Sequence, residues 1–176
     1  TGRRRAKKGT YALSRKDLEL HLGNGLLVLF VAEEKPSLEN ALWIRERFPE
    51  RSWLAVELHH GSNDFQKLRQ LEKISKNTGL PLVAAGDVHM HLRSRRRLQD
   101  ALTAIRLGLP VARCGEALFP NGERHLRWRA RLAQLYPFDL LEETVRIAER
   151  CAFSLGSLKY EYPQELAPPG ETPASH

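Results

Sequence analysis

Two short segments hold the residues whose types and spacing could do chemistry: ELHHG, residues 57–61, and GDVHMH, residues 86–91. Four of the seven histidines lie in them. Each segment follows an apolar run that reads as a strand. In extended backbone, residues i and i+2 point the same way, so Asp87, His89 and, by the same period, His91 fall on one face. Glu57 and His59 do likewise at the other strand end. Carboxylate oxygens and neutral imidazole nitrogens are donors for zinc, manganese or iron. Such ions lower the pKa of a bound water and clamp a phosphoryl oxygen, which would suit phosphoester hydrolysis. The rival reading makes a histidine at a strand end a hydrogen-bonded structural group. Two strands do not complete a multi-metal site, and no H-x-H pair stands upstream to add ligands.

Positive charge follows the second segment. Arg93, Arg95, Arg96 and Arg97 precede a helical pattern, and Arg124, Arg127, Arg129 and Arg131 come later. The formal net charge is +7 and the pI is near 9.7, a balance that favours a polyanionic partner. Both arginine groups are candidates for nucleic-acid contact, with an affinity that falls as salt rises. The alternative is a solvated helix face, or ion pairs with a neighbouring domain. Trp128, between Arg127 and Arg129, offers a ring for base stacking or for core or interface packing.

The elements that must position these residues alternate. GLLVLFVA (25–32) is a continuous apolar strand of the kind expected when both sheet faces are covered. SLENALWIRERF follows as a helix capped by Ser37, with Leu38, Ala41, Leu42 and Ile44 at helical spacing. SWLAVEL is the next strand. SNDFQKLRQLEKISKNTGLP is a helix with Phe65, Leu68, Leu71 and Ile74 in line, stopped by Gly79 and Pro81. LPLVAAG is the third strand. RSRRRLQDALTAIRLGLP is a helix with Leu98, Ala101, Leu102 and Ile105 inward and its arginines outward. Before the first strand, Ser14 caps a short helix with Asp17 three residues on, and TGRRRAKKGT reads as a loop. The order predicts an α/β fold with a parallel sheet and helical crossovers, open or closed into a barrel. Chemistry in such folds sits at the carboxyl ends of the strands. After Pro110 the chain reads as an arginine-rich loop, then an amphipathic helix, FDLLEETVRIAERC, with Leu141, Val145 and Ala148 on one side. EYPQELAPPGETPASH, with four prolines, reads as an extended connector.

No apolar run approaches the ~20 residues of a membrane span, and no signal peptide or phosphate-binding glycine loop is present. Cys114 and Cys151 are isolated, without C-x-x-C spacing, and read as inert core thiols in a reducing, cytoplasmic setting. The chain opens on Thr1 and reads as a segment of a longer protein.

LPLVAAGDVHMHLRSRRRLQDALTAIRLG (80–108) resembles the PHP (polymerase and histidinol phosphatase) domain of bacterial C-family DNA polymerases, the DNA polymerase III alpha-like enzymes. Within them it resembles the error-prone, damage-tolerant branch. RLAQLYP and LLEETVRIAERCAFSLGSLKYEYPQELAPPGETPASH are similar to the stretch that leaves that domain towards the palm, so the likeness covers nearly the whole chain. It implies that residues 1–115 are the C-terminal part of a distorted (βα)7 barrel. Residues 116–176 would form a helical, proline-rich connector. The family's D-x-H metal motif falls on Asp87 and His89, and the ligand from the preceding strand end falls on Glu57 or His59. The implied metal is zinc or manganese, bound in some members and lost in others.

The family's H-x-H motif would lie before this chain and the palm's catalytic acids after it. No catalytic residue is therefore expected here, and the segment alone should be inactive. For the parent the resemblance implies DNA-directed nucleotide addition with magnesium. It also implies DNA, a sliding clamp and a Y-family-like adaptor as partners. The alternatives are a PHP-type phosphoesterase or 3′→5′ exonuclease, and a PHP part that is structural only.

Overall fold

The apolar runs pair into one parallel sheet in the order β1 (Val28–Val31), β2 (Ser52–Glu57), β3 (Leu82–Ala85). The computed structural model describes residues 2–21, 23, 25–32 and 36–158. Parallel neighbours need crossovers, and α2 (Leu38–Arg47) and α3 (Asp64–Thr78) supply them; α1 (Arg15–His21) precedes the sheet. The expected signals set the helix ends. The Ser37 hydroxyl accepts the Asn40 N–H at 3.2 Å to start α2. Gly79 closes α3 in the left-handed region, φ 73°, which a residue without Cβ enters freely. After β3 come α4 (Arg96–Leu107), α5 (Arg129–Leu135) and α6 (Phe138–Arg150). The result is an α/β fold with a small parallel sheet. Its core is shared by residues on both sides of position 115: Val56, Leu58 and Leu71 pack with Tyr136 and Leu140.

Several patterns resolve differently from expectation. Strand β2 is buried on both faces, from Trp53 to Val56. Strand β1 is shorter than the apolar run and alternates: Leu29 and Val31 are 47% and 53% exposed. By register these two neighbour Trp53 and Ala55, which other elements cover, whereas among the described residues nothing covers β1 on that side. In α4 the buried face is shifted from the expected one, although Arg97 and Arg106 are exposed as expected and Ala101 is partly buried. Thr103 and Ala104 are buried while Leu98, Leu102 and Ile105 are exposed, and Arg96, at the helix start, donates to the Phe119 and Pro120 carbonyls. Phe65 in α3 is exposed, and the helix is held by Leu71 and Ile74 instead. In α6 the inward positions are Leu140 and Leu141, with Glu143 accepting the Trp53 indole N–H at 2.7 Å, while Val145 is exposed. The segment 111–137, expected as a loop, contains two short 3₁₀ turns and α5. Cys114 is buried, as expected, but Cys151 is exposed. The proline-rich connector lies outside the described residues.

The first helix shows local chemistry at its clearest. The Ser14 N–H and hydroxyl both donate to Asp17 Oδ2 at 2.8 Å, and the Arg5 guanidinium meets Oδ1 at 2.6 Å, a reciprocal cap at the helix start. The Ser14 backbone amide, its hydroxyl and then Arg5 hold the Asp17 carboxyl well below the ordinary carboxylate range. A depressed folded-state pKa contributes stability above the unfolded value, and that stability is lost as pH falls. Asp17→Asn is therefore expected to lower the thermal midpoint at neutral pH. The deficit should narrow below about pH 4, where the unfolded carboxylate takes up its proton, and close at lower pH; melting curves across that range check it.

Candidate functional site at two strand ends

Glu57 pairs with Ala85 in the sheet register, so β2 and β3 end level. Each strand then turns through a left-handed residue, His60 at φ 55° and Asp87 at φ 40°. Such angles are uncommon for side chains with a Cβ, although Asp and His adopt them more readily than most. The turn at Asp87 breaks the extended period that the sequence suggests. It brings the Asp87 carboxylate against His89, whose Nε2–H donates to Oδ1 at 3.0 Å, and it leaves His91 exposed.

A second segment, 119–127, fixes this turn. The Arg124 carbonyl accepts the His89 and Met90 amides at 2.9 and 3.2 Å, and the Leu126 amide donates to the Met90 carbonyl at 3.1 Å. Met90 and His125 form a parallel bridge. Gly122 lets the segment lie close, since a Cβ there would meet Arg93 Cγ at 2.9 Å.

At the β2 end, His59 is held from three directions. Its Nε2–H donates to the Gly86 carbonyl at 3.0 Å, its amide to Asp64 Oδ2 at 2.9 Å, and its carbonyl accepts Asn121 Nδ2–H at 2.6 Å. Burial pushes the His59 pKa down against the Gly86 carbonyl, and the charges of Arg124 and Arg127 add to the lowering. Glu57 forms an ion pair with Lys67 at 3.7 Å. The Arg124 guanidinium lies against Asp87 Oδ2 and 4.4 Å from the centroid of Phe119, whose ring stacks obliquely on His89 at 4.8 Å. Burial lowers the Arg124 pKa and Glu57 opposes it. An arginine nonetheless keeps its charge.

The four candidate ligands thus lie at neighbouring strand ends, with Asp87 and His89 in direct contact. As arranged they do not make a metal's donor set. Asp87 is engaged by His89 and Arg124, and Glu57 by Lys67. The Nε2 of both histidines serves as a donor, leaving no lone pair there. Among the described residues no three His, Cys, Asp or Glu side chains gather in a metal-holding group. What the arrangement can do is neutralise charge and fix two strand ends.

The arginine block divides by role. Arg93 pairs with buried Glu123 at 3.4 Å. Arg96 donates to the Phe119 and Pro120 carbonyls at 2.6 and 3.3 Å and lies 3.5 Å from Asp100. Arg95 and Arg97 are exposed. In the later group Arg127 is turned inward to the Leu58 carbonyl at 2.9 Å, and Arg131 meets His60 Nε2 at 2.6 Å. Trp128 is 87% exposed and packs into no core.

Sequence alone presents Arg124 and Arg127 as surface charge and does not single out Asn121, Phe119 or Tyr136. The one available signal is the Asn121–Gly122 pair, a turn former that lets 119–127 fold back.

Comparison with known proteins finds close relatives of the sequence. The chain is 55% identical to an error-prone DNA polymerase of Dechloromonas aromatica over 177 aligned residues, 98% of this chain. The error-prone DNA polymerases of Pseudomonas aeruginosa and Methylococcus capsulatus are 54% and 53% identical over 99% and 97% of it. Over nearly its whole length the chain is similar to proteins of that name. The chain spans 17% of the length of the first of these relatives, and no family model matches it.

The two strand ends depend on one phenol. Tyr136 is buried; its hydroxyl accepts the Leu58 amide at 3.0 Å and donates to the Ala85 carbonyl at 2.7 Å. Tyr136→Phe would leave an amide of one strand end and a carbonyl of the other without partners. Each buried orphan costs about 1–3 kcal/mol, so urea denaturation should show a loss in that range or above it. A change below about 0.5 kcal/mol would mean that water replaces the hydroxyl.

Proposed function

We propose that this chain serves as one segment of an error-prone DNA polymerase, an enzyme that adds nucleotides to a DNA 3′ end under the direction of a template, damaged template included. The observation that carries the reading is identity of 53–55% sustained over 97–99% of the chain in three relatives of that name. The activity belongs to a longer protein. Its substrates would be DNA and deoxynucleoside triphosphates, and divalent metal for nucleotide transfer would be held by acids outside this segment. The sliding clamp and the adaptor are partners of that longer protein.

Within it, residues 1–115 are proposed to be the closing part of a PHP barrel and residues 116–176 the way out towards the palm. Two uncovered apolar surfaces favour a larger fold. Leu29 and Val31 leave one side of β1 bare, and Leu98, Leu102 and Ile105 do the same for α4. Contiguous apolar exposure of this kind marks a surface that packs against something else. Among the described residues no helix is long and apolar enough to cross a membrane.

Arg95 and Arg97 are the part of the block suited to a DNA phosphate backbone, whereas Arg93, also exposed, pairs with Glu123 and Arg96 is engaged with the Phe119 and Pro120 carbonyls. In the full-length protein, primer extension across an abasic template is expected, with none from residues 1–176 alone. Full-length protein without extension would sink the reading. Replacing Arg95 and Arg97 by alanine should reduce the salt slope of DNA binding by roughly 1 for each phosphate no longer neutralised while leaving the melting temperature in place. Arg96→Ala should lower the melting temperature. An unchanged salt slope would remove Arg95 and Arg97 from the interface.

A further inference from the structure

We propose that Arg124 is the resident cation of the strand-end cluster: its guanidinium neutralises Asp87 from within the chain, in the place where a divalent metal would otherwise be required. This goes beyond the polymerase reading and stands on the geometry alone.

The side chain is held in register by its own backbone. The Arg124 carbonyl accepts two amides from the turn that carries His89, at 2.9 and 3.2 Å. Backbone and guanidinium of one residue thus bind the same turn, the first through His89 and Met90, the second through Asp87. The Phe119 face, 4.4 Å away, backs the guanidinium plane, a favourable contact for a delocalised cation. Phe119 is itself fixed to α4, because its carbonyl accepts Arg96 at 2.6 Å.

The donors agree with this assignment. Asp87 is the one carboxylate of the turn, and its two oxygens go to His89 and Arg124. Glu57 answers Lys67, and His59 spends its Nε2–H on a carbonyl. A divalent ion entering here would have to displace the guanidinium or sit beside it against like charge. The acid and imidazole pattern that reads as a metal motif is satisfied by hydrogen bonds and an arginine.

Two measurements on the full-length protein, purified without chelator, test this. The first is manganese binding by electron paramagnetic resonance, wild type against Asp87→Asn, so that ions held elsewhere cancel. The second is a double-mutant cycle in urea with Asp87→Asn, Arg124→Met and both together. The expected result is equal manganese content in wild type and Asp87→Asn, with a double variant less destabilised than the sum of the singles. Near-stoichiometric manganese that disappears with Asp87→Asn would overturn the proposal, as would additive losses. If Arg124→Met does not fold, Arg124→Gln, which also removes the charge, replaces it in the cycle, and the manganese comparison needs no Arg124 variant. Failure of the polymerase reading would show in primer extension and leave both results untouched.

Discussion

The hydrogen bonds of the Tyr136 hydroxyl join the ends of two strands that would otherwise leave the sheet with bare backbone groups. Beyond Glu57 and Ala85 the β2–β3 ladder stops, and a buried amide or carbonyl without a partner is among the costliest defects a fold can hold. One hydroxyl, accepting from Leu58 and donating to Ala85, closes both. It is aimed there by sequence. The residue before a proline is driven out of the α region, so at Tyr136, followed by Pro137, helix α5 ends in extended backbone with ψ 145°. Arg127 then caps the remaining carbonyl of Leu58 and lies over the Tyr136 ring. The connection after α4 is therefore part of the floor on which the strand ends stand.

This floor decides the electrostatics above it. With the 119–127 segment pinned against both turns, Arg124 has little freedom to leave Asp87, and its charge is felt at His59 as well. Burial pushes the half-buried His59 imidazole pKa down, and the neighbouring arginine charges add to the lowering. The cluster is balanced inside the chain, with cation and anion supplied by segments far apart in sequence. Such a balance favours a rigid corner. It disfavours a site that must admit an ion, shed water and release a product.

The elements were legible because local rules and packing agreed there. The Ser37 cap, the Gly79–Pro81 stop and the strand–helix alternation each rest on backbone chemistry that tertiary contacts did not oppose. The strand ends were legible as places. Asp87 and His89 do meet, although by a left-handed turn and not by the extended period that suggested it. What stayed hidden was everything supplied by residues 119–136. A basic, turn-rich stretch such as GERHLRWRARL gives no periodicity to read, and nothing in its composition distinguishes an arginine facing solvent from one folded back on a strand end. The same blindness applies to α4: its apolar stripe suggests an inward face, yet Leu98 and Leu102 are exposed while Arg96 donates to the Phe119 and Pro120 carbonyls.

The polar and apolar parts of this chain are completed to different degrees, and the contrast bears on what the segment does. Most of its hydrogen bonds and ion pairs at the strand ends are made within the chain: Tyr136 serves the Leu58 amide and the Ala85 carbonyl, Asn121 the His59 carbonyl, and Arg127 the Leu58 carbonyl. Its apolar layers do not close. Leu29 and Val31 on β1, and Leu98, Leu102 and Ile105 on α4, remain exposed at positions where a sheet edge or a helix face ordinarily packs. Burial of apolar surface is the main term that stabilises a fold, so these surfaces are where further polypeptide would gain most by docking. A corner whose polar groups are mostly engaged within the chain, yet whose apolar layers stand open, is the physical ground for proposing it as one segment of a larger fold.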